Sequence, residues 1–131
     1  MRAFTITEIE QAHEQVKSGA DFPNYIKKIN ELGVKSFETW VSDSHTNYLG
    51  TDNYKISSLP KYEERSISKE VNREQFQNYL KIHQQGETDY YTFCMHCANT
   101  GIEKWVVSLE DYSCIYYDAK GIVILKEEIP H

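Results

Sequence analysis

The chain has 131 residues, 40% hydrophobic, 26% charged and 13% aromatic, with a formal charge of −6 from 14 basic and 20 acidic side chains. That length fits one domain, residues 1–131, able to bury roughly two thirds of its unfolded surface. A negative chain without a Lys or Arg cluster has no basic face for counterion release, which argues against nucleic acid, and its longest aliphatic run, Ile122-Val123-Ile124-Leu125, is too short for a membrane span.

Thr5 and Glu8 stand at capping-box spacing, so a first helix is predicted from Thr5. Ile6, Ile9, Ala12, His13 and Val16 share one face of it, and Gly19 is expected to end it. Asp21 is expected to cap a second helix with Pro23 in its first turn, where a missing N–H costs nothing. Its apolar stripe is Phe22, Tyr25, Ile26, Ile29 and Leu32, and Gly33 is its stop. From Val34 the period changes to two, which predicts strands at 34–42, 45–50 and 54–59 with turns at Asp43-Ser44 and Asp52-Asn53. Residues 61–71 are charged and weakly patterned, a connector with a short strand near 62–67.

Asn72 and Gln75 then repeat the cap spacing of Thr5 and Glu8; Phe76, Tyr79, Leu80 and His83 follow, and Gly86 is the stop. Thr88 or Asp89 caps a fourth helix running to Asn99, and strands follow at 102–109, 113–118 and 122–127. A shift of about 68 residues superposes Tyr25 on Phe93, Gly33 on Gly101, Phe37 on Trp105, Asp43 on Asp111 and Tyr48 on Tyr116. Identity between the halves is low, but caps, stops and the change of period recur together, each with its own physical cause. The expectation is an α+β domain of two degenerate helix–helix–three-strand repeats, 5–60 and 72–130. Tight turns make the strands antiparallel, in one sheet or two, covered by about four helices.

Phe93-Cys94-Met95-His96-Cys97 is the most prominent candidate for chemistry. Two thiols three residues apart on a helix share a face, as redox pairs and half-zinc sites do. Cys94 lies well past the expected cap, however, and in the shifted register Cys94 and Cys97 fall on Ile26 and Ile29. Burial as small hydrophobes is therefore the favoured reading, with a metal site of Cys94, Cys97 and His96 as the alternative. Three cysteines do not make a secreted disulfide framework, and residues 1–8 lack a signal peptide's apolar core. Both point to the cytoplasm.

Asp43, His45 and Asn47 would share one side of an extended segment, so His45 and Asp43 are catalytic candidates. The competing reading is a polar turn. Ten tyrosines are an excess, and Trp40, Tyr48, Trp105 and Tyr116 are candidates to line a ligand site on the sheet. No glycine-rich phosphate loop, HExxH, EF-hand spacing or Gly-x-Ser-x-Gly elbow occurs, so no cofactor is predicted.

Several segments resemble one family. They are Ala12-His13, then Val16-Lys17-Ser18-Gly19-Ala20-Asp21-Phe22-Pro23 with Tyr25-Ile26, Gly101-Ile102-Glu103-Lys104-Trp105-Val106-Val107, and Cys114 with Tyr116-Tyr117-Asp118. The chain is similar, over essentially its whole length, to the YbcV-like bacterial proteins, a domain of unknown function sometimes labelled phage envelope protein. The resemblance implies a small α+β protein without an assigned activity, and it transfers no catalytic residue. It departs from the family at Asp43-Ser44, where Asp-Gly is expected. The reading that follows is a non-enzymatic cytoplasmic module whose aromatic sheet region binds a protein or small molecule, with self-association through a strand edge open to it. An enzyme with a cleft around His45 and Asp43 is the alternative.

Overall fold

The computed structural model describes residues 4–14, 16 and 21–129. Among them are four α-helices and six strands: α1 (Ile6–His13), α2 (Phe22–Leu32), β1 (Ser36–Trp40), β2 (Thr46–Leu49), β3 (Lys55–Ser57), α3 (Arg73–Gln84), α4 (Tyr90–Asn99), β4 (Lys104–Ser108), β5 (Ser113–Tyr117) and β6 (Val123–Glu128). The strands form a single antiparallel sheet in the order β3-β2-β1-β4-β5-β6. The fold is α+β.

Local chemistry explains where the helices begin. Thr5 Oγ1 accepts from the Glu8 N–H at 3.2 Å while the Thr5 N–H donates to Glu8 Oε1 at 3.1 Å, the reciprocal capping box. Asn72 Oδ1 accepts from Gln75 N at 3.0 Å to start α3, and Asp89 Oδ1 accepts from Thr92 N at 2.7 Å to start α4. Asp89 is thus the fourth cap. Thr88 is engaged instead by His83, whose Nδ1 lies 3.0 Å from the threonine hydroxyl.

Three expectations are corrected. α1 ends at His13, well short of Gly19, which lies outside the described residues. Asp21 occupies the N-cap position of α2, but its backbone is already αR and its side chain makes no cap bond. Residues 62–67 form no strand. Their neighbourhood is pinned singly, by Lys61 N to Asp43 O at 2.9 Å, Arg65 N to Ser42 O at 2.8 Å and Ser68 N to Ala98 O at 2.8 Å. With bonds going to a turn and a helix end, there is no adjacent ladder for that segment to join.

The centre of the sheet is the β1–β4 pair, in which Glu38 stands opposite Val106. These are counterparts in the 68-residue register, so each half contributes two helices and three strands disposed about that point. One face of the sheet is buried: Phe37, Thr39, Tyr48, Trp105, Val107 and Tyr116 alternate with half-exposed neighbours. They meet Ile26 and Ile29 of α2, Phe76 and Leu80 of α3, and Phe93 and Cys97 of α4 in one core.

Two glycines provide a matched test of backbone demands. Gly101 and Gly121 both have left-handed backbones, φ 90° and 80°. A Cβ on Gly101 would lie 2.9 Å from the Glu70 carbonyl oxygen, whereas one on Gly121 meets nothing within 4 Å. Gly121→Ala is expected to cost about 1 kcal/mol, the left-handed penalty alone, and Gly101→Ala at least about 2 kcal/mol because backbone must also move. Urea unfolding of both variants measures the difference, and equal losses would disprove the crowding.

Candidate functional site

A cavity of about 400 Å³ lies between the helices and the buried face of the sheet. Its floor is supplied by Thr46 and Tyr48 of β2, Thr39 of β1, Trp105 of β4, Tyr116 of β5 and Glu127 of β6. Those are five adjacent strands, and at about 4.8 Å per spacing the floor runs roughly 19 Å. Its walls include His13 of α1, Tyr25 of α2, Leu80 and His83 of α3, and Tyr90 and Phe93 of α4. Strand pleating explains the floor, since residues two apart along a strand point to the same side. Large rings then meet at angles instead of interdigitating: Phe93 and Trp105 are 5.7 Å apart between centroids, Trp105 and Tyr116 6.3 Å, and Phe37 and Tyr48 5.6 Å.

The lining is paired. Phe37 and Trp105, Thr46 and Cys114, and Tyr48 and Tyr116 are each 68 residues apart, and all six face the cavity. So do Tyr25 and Phe93 on the equivalent helices. Two histidines add to the likeness, each near the end of a helix that precedes one of these aromatics. His13 approaches Tyr25 edge-on at 5.3 Å, and His83 stacks on Phe93 at 4.3 Å.

The polar groups have distinct states. Burial pushes the His13 imidazole down to about 4, with the charge of Lys61 adding to the effect, so His13 is neutral at pH 7. Burial also lowers His83. Its Nδ1 lies 3.2 Å from the Thr88 carbonyl, which can only accept, so Nδ1 carries the proton and Nε2 keeps a lone pair. Burial raises Tyr25 and Tyr90 above the usual phenol range, and the Tyr90 hydroxyl is 2.6 Å from Ser44 Oγ. Lys61 remains exposed over much of its surface, yet its Nζ lies 5.3 Å from the Tyr90 ring centroid and partial burial lowers its pKa. Glu127 accepts from Gln84 Nε2 at 3.0 Å, and burial raises its carboxyl.

Three of the four aromatic candidates, Tyr48, Trp105 and Tyr116, line this cavity. Trp40 does not share it. It is three residues from Phe37, so the pleat turns it to the opposite face, where Lys104 Nζ lies 4.7 Å above its ring and His45 stacks at 6.2 Å. His45 and Asp43 do meet: His45 Nδ1 lies 2.6 Å from Asp43 Oδ1, which also accepts the His45 backbone N–H at 3.0 Å. Burial would raise Asp43, but those hydrogen bonds outweigh it and hold the carboxyl below its ordinary value. Neither residue is in the cavity lining.

Cys94 and Cys97 are fully buried, and burial raises both thiols above the usual range. His96 stacks on Tyr79 at 3.7 Å. Among the described residues, no three His, Cys, Asp or Glu side chains gather as metal ligands would. The sequence places His13 and His83 on apolar helical stripes and makes neither Lys61 nor Glu127 a site candidate, yet all four line the cavity.

Among the described residues the fold is that of a small α+β protein with an aromatic-lined cavity between helices and sheet. Residues 10–128 match the family described as Protein of unknown function (DUF1398), and the chain belongs to that family. No curated protein matches it.

Ser44, where Asp-Gly was expected, takes φ 64° without being glycine, and it is completely buried. Its bond to Tyr90 offsets that cost. Ser44→Ala keeps the backbone penalty and removes the partner, so a loss of about 1–3 kcal/mol is expected; Ser44→Gly relieves the backbone and should lose less. Denaturant midpoints rank the two variants, and the reverse order would contradict this account.

The His13 imidazole also makes stability depend on pH. Its folded pKa near 4 lies below the ordinary 6.5, so the unfolded chain binds the proton first as pH falls. The stability contribution is complete above about pH 6.5 and is lost toward pH 4. His13→Gln should flatten the decline across that window, as measured by urea unfolding at half-unit steps; an unchanged slope would refute it.

Proposed function

We propose that this protein is a non-enzymatic binding module that takes a small, largely apolar molecule into the cavity over its aromatic sheet. The carrying observation is the space of about 400 Å³ itself, floored by Tyr48, Trp105 and Tyr116 and with most of its lining surface apolar. That size and composition belong to ligand sites, whereas ordinary cores close to near-crystalline density. Buried neutral histidines and tyrosines offer directional hydrogen bonds without imposing a strong charge at the cavity centre. An enzyme reading has the His45–Asp43 pair in its favour, but that pair lies away from the cavity lining, and Cys94 is enclosed in the core.

Within its family the chain is read as YbcV-like, on the motifs around Phe22-Pro23 and Trp105. The phage-envelope label of such proteins adds no residue to the site. We also read the halves 5–60 and 72–130 as copies of one unit, supported by the paired cavity lining and by Glu38 lying opposite its own counterpart Val106. A cytoplasmic location agrees with three reduced cysteines, and among the described residues no helix is long and apolar enough to cross a membrane.

The chain has two tryptophans, so Trp40→Phe leaves Trp105 as the single reporter, inside the cavity. Titrating that variant with 1-decanol should shift its emission saturably at one ligand per chain, with wild-type affinity by calorimetry. Cys114→Leu, which fills the floor, should weaken binding about tenfold or more. Non-saturable binding, or equal affinity in the filled variant, would remove this function.

A further inference from the structure

We infer that the ligand is an elongated monocarboxylic acid, with its carboxylate at Lys61 and His13 and its apolar body lying across Phe37 and Trp105. The inference rests on the reading of the cavity as a ligand site. Shape is the first argument. A space of about 400 Å³ whose floor crosses five strands, roughly 19 Å, suits one extended chain better than a stack of fused rings.

Charge is the second. The lining positions pair across the cavity, but the pair Lys61 and Ile129, also 68 residues apart, departs from the pattern. One member is a cation and the other a hydrocarbon. Among the described residues Lys61 makes no ion pair. Glu10 of α1 is near enough to favour the ammonium without bonding to it.

Orientation follows from the sheet. The Lys61 backbone is tied to the turn after β1 through Asp43 O at 2.9 Å, and that of Ile129 to the turn after β4 through Tyr112 O at 2.7 Å. Because β1 and β4 are antiparallel, those turns lie at opposite ends of the strands, so Lys61 and the β6 glutamates stand diagonally across the floor. Glu127 and Glu128 line the cavity beside Ile129, where they would repel a carboxylate. At the other end the Lys61 ammonium and the N–H of neutral His13 can both donate to it, a charge-assisted arrangement. The molecule therefore has one cationic end and one end hostile to anions, with aromatic rings between them.

Calorimetric titration with decanoate and 1-decanol at pH 7.5 tests this, both ligands kept below their aggregation limits. Decanoate should bind at least about tenfold tighter than decanol. Lys61→Met should erase that preference by weakening decanoate far more than decanol, with a wild-type circular dichroism spectrum and urea midpoint reporting that the variant is folded, and Lys61→Arg should retain it. Equal binding of the two ligands by wild type, or a preference that survives in Lys61→Met, overturns the acid assignment and leaves the cavity reading standing. Failure of both ligands to bind overturns both.

Discussion

The antiparallel pairing of β1 with β4 is the constraint on which the molecule depends. It joins two three-strand meanders, each sealed internally by tight turns, into one continuous sheet. Its register, with Glu38 facing Val106, makes Phe37 and Trp105 project on the same side and places the turn after β1 opposite the turn after β4. A slip of one residue would send one set of rings to solvent. Strand pairing at this single seam therefore decides whether a common aromatic floor exists at all.

The cavity is the consequence of building that floor from rings and roofing it with two helix pairs. Each pair brings a histidine from its first helix and an aromatic from its second, and the rings meet edge-on or stacked at centroid separations of 4–6 Å. Such contacts are favourable but geometrically demanding, and they leave a space of about 400 Å³ between helices and sheet. Desolvation then sets the chemistry of the space. The imidazoles stay neutral and the phenols keep their protons, while the basic side chain of the lining, Lys61, and its two acidic ones, Glu127 and Glu128 of β6, stand far apart.

Much of the fold was legible residue by residue because its causes are local. Thr5 with Glu8 and Asn72 with Gln75 bond within one turn, and Gly33 and Gly101 adopt backbones that other residues resist. Asp21 shows where this logic stops: its type suits a cap, but its backbone had already entered the helical region. The site was less legible. Grouping Trp40 with Tyr48, Trp105 and Tyr116 by residue type overlooked the parity that separates residue 40 from residue 37. His13 and His83 looked like core positions because each lies on an apolar helical stripe, and only the space in front of them distinguishes a wall from a core.

By itself the sequence determined the α+β class, the capped starts of three helices, and the alternation that gives the sheet a buried face, since short-range bonding and the two backbone periods enforce these. Tertiary structure alone decided which aromatics share a surface, that Ser44 is held by Tyr90 from a helix 46 residues away, and that Lys61 and Glu127 mark opposite ends of one cavity. Those facts depend on the register of β1 against β4 and on how far apart the helix pairs stand. Both are set by packing among residues distant in the chain, and no local pattern encodes them.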